Sequence, residues 1–142
     1  MMADPQSAAP QSVRDLGILL VEDDPATRTA VSRMLYDLAV RSVWEARDGV
    51  HALELLKQHG ERIDLVICDL EMPRMGGLDL LHALRTSGGS ALIDLPVIVL
   101  TAHREAETVK RAIAYSISGY LVKPVNKSDL TKRLTFAVQK GR

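Results

Sequence analysis

From Gly17 onward the chain repeats one pattern five times: a short, unbroken apolar run, then a segment whose apolar residues recur at helical spacing. An apolar run with no polar alternation suits a strand covered on both faces, and a parallel sheet with helical crossovers supplies that cover. The runs are Ile18-Leu19-Leu20-Val21, a weaker one from Val40 to Ala46, Leu65 to Cys68, Val97 to Leu100, and Tyr120-Leu121-Val122. Between the first two, Ala30, Val31, Met34, Leu35 and Leu38 predict a helix, with Asp24 as its N-cap and Pro25 at its first position. Asp48 caps a second helix carrying Leu53 and Leu56 and stopping at Gly60, and a third with Leu78, Leu81 and Leu84 closes at Gly88-Gly89. Ala106, Val109 and Ile113 mark the fourth. The last opens at Asn126, with Asp129 as its acidic third position, and places Leu130, Leu134, Ala137 and Val138 on one face.

Five such units predict an α/β fold: a doubly wound, five-stranded parallel sheet with right-handed crossovers and helices on both faces. A chain of 142 residues fits one such domain, here expected over residues 17–142. The first 16 residues, with Pro5, Pro10, alanines and polar residues but no apolar segment of a secretion signal, read as a disordered leader. No stretch approaches the ~20 apolar residues of a membrane span. Acidic and basic residues number 18 each, so net charge gives no pull toward nucleic acid or anionic lipid. Cys68 is the one cysteine, set within a strand run; a buried core thiol in a reducing cytoplasm is the expectation.

In open parallel sheets ligands sit beyond the carboxyl ends of the strands. The residues there are Glu22, Asp23 and Asp24 after the first strand, Asp69 after the third, Thr101 after the fourth, and Lys123 followed by Pro124 after the fifth. Crowded carboxylates repel one another, which raises a pKa or recruits a cation. Hard oxygen ligands with room for water suit Mg²⁺ better than zinc or copper. Such an ion would relieve the repulsion and leave Asp69 as an oxygen nucleophile toward phosphorus, with Thr101 donating to a phosphoryl oxygen and Lys123 offsetting its charge.

At these residues the chain resembles the receiver domain of two-component response regulators. The matching pieces are Leu19 to Asp24 (LLVEDD), Cys68 to Gly77 (CDLEMPRMGG), Val99 to Ala102 (VLTA) and Gly119 to Pro124 (GYLVKP), in the family's order and spacing over roughly residues 18–138. The resemblance implies a flavodoxin-like, CheY-like fold with strand order 2-1-3-4-5. It further implies that Asp69 is phosphorylated, that Asp23 binds Mg²⁺ directly and Glu22 through water, and that Glu71 gives the metal its backbone carbonyl. Thr101 and Lys123 would hold the phosphoryl group, Tyr120 would be the aromatic that turns inward after Thr101 moves, and the Lys123–Pro124 bond would be cis. A histidine kinase or phosphotransfer protein would be the donor. The downstream protein target would dock on the face made by the fourth helix, fifth strand and fifth helix. Such a chain is a switch in a phosphorelay rather than an enzyme, catalysing only its own phosphorylation and dephosphorylation.

The chain departs from the family at Ser116-Ile117, where Gly-Ala is usual before the fifth strand; a bulkier Ile117 bears on how the fourth helix packs and how Tyr120 moves. Glu71 and His103 fall where the family tunes dephosphorylation. Taken singly, the acidic triplet reads as a solvated helix cap, Lys123 as a surface lysine and Thr101 as a strand-end hydrogen bonder; only their common phase at the strand ends lifts them. His51, His59, His82 and His103 lack metal-ligand spacing. An alternative from the enzymes is a haloacid-dehalogenase-like phosphatase, but Asp69-Leu70-Glu71 lacks the second Asp of that family's signature. A flavodoxin relative would want a hydroxyl- and Gly-rich phosphate loop where Glu22-Asp23-Asp24 stands. A phosphorylation-independent adaptor is opposed by the intact site. No DNA-binding segment follows the last helix within these residues, so direct action on nucleic acid is not expected.

Overall fold

The computed structural model describes residues 9–72, 74–86, 90–103 and 107–141. Strands β1 (Gly17–Val21), β2 (Ser42–Ala46), β3 (Leu65–Asp69), β4 (Val97–Thr101) and β5 (Gly119–Val122) form one sheet in the order β2-β1-β3-β4-β5, with every neighbouring pair parallel. The helices are α1 (Gln11–Arg14), α2 (Pro25–Asp37), α3 (Gly49–His59), α4 (Gly77–Thr86), α5 (Ser90–Ile93), α6 (Glu107–Ile113) and α7 (Lys127–Gly141). A 3₁₀ turn, Gly60–Arg62, follows α3.

The apolar runs divide by strand alternation into two cores, one on each face of the sheet. Ile18, Leu20, Ile67, Ile98 and Leu100 face Val31 and Leu35 of α2 and Leu130, Leu134 and Ala137 of α7. Leu19, Val21, Val66, Cys68, Val97 and Val99 face Ala52 and Leu56 of α3, Leu80, Leu81 and Leu84 of α4, and Val109 and Ala112 of α6. Each leucine so buried contributes about 1.5–3 kcal/mol. The helix starts are those the side chains dictate. Asp24 accepts from Thr27 N–H at 3.0 Å with Pro25 behind it, Asp48 accepts from His51 N–H at 2.8 Å, and Asn126 accepts from Asp129 N–H at 2.8 Å.

The structure differs from the expected leader over residues 9–16; the leader's first eight residues lie outside the described residues. Residues 9–16 are folded: α1 lies against α7, Val13 is fully buried, and Ala9 and Leu16 join the core beside it. One valine in a polar, alanine-rich stretch has no periodicity to announce it; its cover comes from a helix more than a hundred residues away. Two further differences are local. A one-turn helix, α5, precedes β4, and Ile113, expected on the buried stripe of α6, is 58% exposed because Val109 and Ala112 take the inward positions. Gly88-Gly89, the expected stop of α4, and Ala106 lie outside the described residues. Ile117 packs, partly buried, against the α3–α4–α6 core, and Ser116 before it adopts a positive φ of 59°. The Lys123–Pro124 bond is cis.

Candidate functional site

Parallel pairing sets the ends of β1, β3 and β5 at one rim, because Val21 lies beside Cys68 and Thr101 beside Val122. The chain leaves each strand there with a polar residue. Glu22 is fully buried, and its N–H continues the ladder to the Ala46 carbonyl at 2.9 Å. Asp69 is 5% exposed and ends β3, with its Oδ1 accepting from Glu71 N–H at 3.2 Å. Lys123 leaves β5 with its N–H on the Thr101 carbonyl at 2.8 Å. Its ammonium bridges the two acids: Nζ is 2.8 Å from Glu22 Oε1 and 3.0 Å from Asp69 Oδ2. Asp23 completes the group, and one carboxylate oxygen from each of Glu22, Asp23 and Asp69 lies within 4.8 Å of the others.

The electrostatics of this cluster are unsettled without a further cation. Burial raises the Glu22 carboxyl to about 7, Lys123 lowers it only in part, and the Asp69 charge adds to the rise. Burial alone would lower the pKa of Lys123, but its contacts with Glu22 and Asp69 outweigh that and raise it. Three carboxylates against one ammonium leave an excess of two negative charges when all are ionised. All-oxygen donors and a double negative excess fit a hard divalent cation. Among the described residues, these three are the His, Cys, Asp and Glu side chains gathered closely enough to hold one.

The other expected residues are in different states. Thr101, 5% exposed, turns its hydroxyl onto its own loop, donating to the His103 carbonyl at 3.0 Å and accepting from His103 N–H at 3.2 Å. Glu71 is exposed in the loop after Asp69. Tyr120 sits partly buried against the α6-side core, paired in register with Val99. Asp24 is spent as the α2 cap, its carboxylate bonded to Thr27 N–H and hydroxyl, which hold its pKa below the usual range. Cys68 is buried, and burial pushes its thiol well above the ordinary range, so it offers no nucleophile.

Three residues near the site are not among those the sequence singles out for a role. Arg28, on α2, donates to the Glu22 carbonyl at 2.8 Å and pairs with Glu45 at 3.5 Å. Arg74, in the loop after Asp69, pairs with Asp48 at 3.2 Å. Gly77 starts α4 against the Asp69 backbone, where a Cβ would run into the Asp69 carbonyl. Only the pair of glycines in the sequence hints at so close an approach.

The fold and the rim together define a receiver-type module of the flavodoxin-like class. A family model for the response regulator receiver domain matches residues 18–135. The chain is 36% identical to chemotaxis protein CheY-3 of Vibrio cholerae over 121 residues, covering 85% of this chain and 90% of that protein. Among solved structures, Vibrio cholerae CheY4 superposes with a TM-score of 0.76 at 32% identity, covering 85% of this chain and 97% of the other. The receiver domain of a Pseudomonas aeruginosa sensor histidine kinase, with a magnesium ion coordinated in its active-site cleft, gives 0.77 at 26% identity, covering 89% of this chain and 99% of that one. This chain therefore belongs to the response regulator receiver family, as a CheY-like phosphoacceptor signalling domain. That assignment leaves the haloacid-dehalogenase alternative without support.

Proposed function

We propose that Asp69 is the phosphoacceptor and that Mg²⁺ is held by Asp23 and Asp69 directly, by Glu22 through water and by the Glu71 backbone carbonyl. The observation that carries the reading is the cluster itself: Asp69 buried beside Glu22 and Asp23, with Lys123 Nζ between two of the three carboxylates. A carboxylate oxygen of Asp69 attacks the phosphorus of a phosphohistidine in a kinase or phosphotransfer protein. The new O–P bond forms as the P–N bond breaks, and its electron pair leaves on the imidazole nitrogen. Magnesium, when bound there, would supply positive charge against the transferring phosphoryl oxygens. Lys123 moves from its two carboxylates to the incoming phosphoryl group. Thr101 turns its hydroxyl from the His103 carbonyl toward a phosphoryl oxygen, and that rotation frees space for Tyr120 to swing inward.

The output face we assign to α6, β5 and α7. Ile113, Val122 and Phe136, one on each of these elements, are 58%, 38% and 46% exposed, a concentration of apolar area that favours a protein target. No helix among the described residues is long and apolar enough to cross a membrane, which agrees with a cytoplasmic relay. Intact-mass spectrometry after incubation with MgCl₂ and acetyl phosphate tests the assignment. Wild type gains one acid- and base-labile phosphoryl group and Asp69→Asn gains none; an adduct of equal yield on the variant moves the acceptor elsewhere.

A further inference from the structure

The loop from Leu70 to Gly76 carries Glu71, whose backbone carbonyl the proposed site assigns to the metal. Its near end is fixed by the sheet: Leu70 N–H donates to the Leu100 carbonyl at 3.2 Å, and Gly77 N–H returns to the Leu70 carbonyl at 3.0 Å. Its far end leans on α3 instead. Arg74, with a positive φ of 65°, turns its guanidinium to Asp48, whose side chain is 4% exposed, at 3.2 Å. Next to it, the Met75 carbonyl accepts from Gly49 N–H at 3.0 Å, and the Met75 side chain lies where a Gly49 Cβ would stand. The first two residues of the α3 start, Asp48 and Gly49, thus grip two successive loop residues.

An arginine in the left-handed region is conformationally costly, and a glycine or asparagine would sit there more easily. What the arginine adds is a charge on Asp48, a carboxylate already occupied by the His51 N–H as a helix cap. The His51 bond and the Arg74 charge together hold the Asp48 carboxyl below its ordinary range, so it stays ionised wherever the site works. Neither partner lies among the metal-gathering carboxylates.

We propose that the Asp48–Arg74 ion pair, seated on the Gly49–Met75 contact, is a positioning clasp that sets the Glu71 carbonyl for the divalent ion and so tunes metal affinity through the loop. The clasp rests on the reading of Glu22, Asp23, Asp69 and Glu71 as the metal site. Arg74 and Asp48 are positioning residues here and touch neither metal nor phosphoryl group. A purely structural pair would alter melting temperature and leave magnesium affinity alone. A clasp alters the magnesium dependence of phosphorylation and leaves the rate at saturating magnesium in place.

The test measures the magnesium dissociation constant of the full chain by amide NMR titration, and the magnesium dependence of phosphorylation by acetyl phosphate. Arg74→Ala weakens magnesium about three- to tenfold, below the ~10–100-fold for direct partners of metal ligands because Arg74 is half exposed and acts through the loop, and the rate at saturating magnesium stays within about twofold. Arg74→Lys recovers most of the affinity. Asp48→Asn, which keeps a capping oxygen, weakens magnesium as Arg74→Ala does, and the double variant is no worse than either single one. Unchanged magnesium affinity in folded Arg74→Ala, or fully additive losses in the double variant, overturns the clasp alone. Failure of the wild type to bind magnesium overturns the metal site first and the clasp with it.

Discussion

At the edge of the sheet where strands begin, charged side chains are spent on backbone. Asp64 accepts from Gly17 N–H at 2.9 Å, and Arg41 pairs with Asp64 at 3.2 Å while donating to the Arg62 carbonyl at 3.1 Å. Arg85 donates to the carbonyls of Tyr115, Leu95, Ser116 and Leu92, at 2.8 to 3.4 Å, and so ties the approaches to β4 and β5 onto α4. At the opposite edge, where strands finish, carboxylates meet carboxylates around one ammonium. Both edges hold acids and bases. One arrangement satisfies the fold and is complete; the other leaves negative charge in excess, which a bound cation would offset.

The difference should separate chemistry from stability. The largest effect falls on Lys123→Ala, for which initial phosphorylation by acetyl phosphate drops at least about a hundredfold, roughly 3 kcal/mol of transition-state stabilisation, while the melting temperature in magnesium holds within a few degrees. Arg85→Ala does the reverse. Four carbonyls lose the arginine's hydrogen bonds, urea unfolding shows a loss of about 2 kcal/mol, and the yield of phosphorylated chain stays at the wild-type level. A fall in phosphorylation with Arg85→Ala at matched folding would erase the contrast between the two edges.

The contrast sharpens with pH. Folded, Glu22 holds its proton up to about 7, against an ordinary 4.5 in the unfolded chain. Between those values the native state binds more protons, so stability without metal falls as pH rises through the window. It is fully present below 4.5 and gone above 7, a loss on the order of 3 kcal/mol. Thermal melts in EDTA from pH 5 to 8 should show this decline, and Glu22→Gln should flatten it; a wild-type melt that rises over the same range contradicts the buried acid. Arg41→Ala gives the smallest effect, about 0.5 kcal/mol in urea, since its guanidinium is half exposed.

Much of this division can be read from the residues alone. Apolar runs too short for helices and too continuous for half-buried strands specify a sheet covered on both sides, and Asp24-Pro25, Asp48 and Asn126 mark helix starts by their own hydrogen-bonding chemistry. Glu22, Asp69 and Lys123 converge because each ends or directly follows a strand of one parallel sheet. What stays hidden depends on contacts between distant segments. Val13 is buried only because α7 covers it, and Ile113 is exposed because α6 turns two other residues inward. Arg28, Arg74 and Arg85 look like surface arginines until the backbone carbonyls and the carboxylate they meet are placed. Lys123, expected beside a phosphoryl group, has two carboxylates as its neighbours in this structure.

Beneath the whole reading lies one physical claim, that the strand-end carboxylates together take a divalent ion. An amide NMR titration of the full chain with MgCl₂ near pH 8, where Glu22 is ionised, tests it most directly. Saturable shifts confined to residues 22–24 and 69–71, abolished by Asp23→Asn, are the expected result. Saturable shifts absent from those residues, or unchanged in Asp23→Asn, would contradict it.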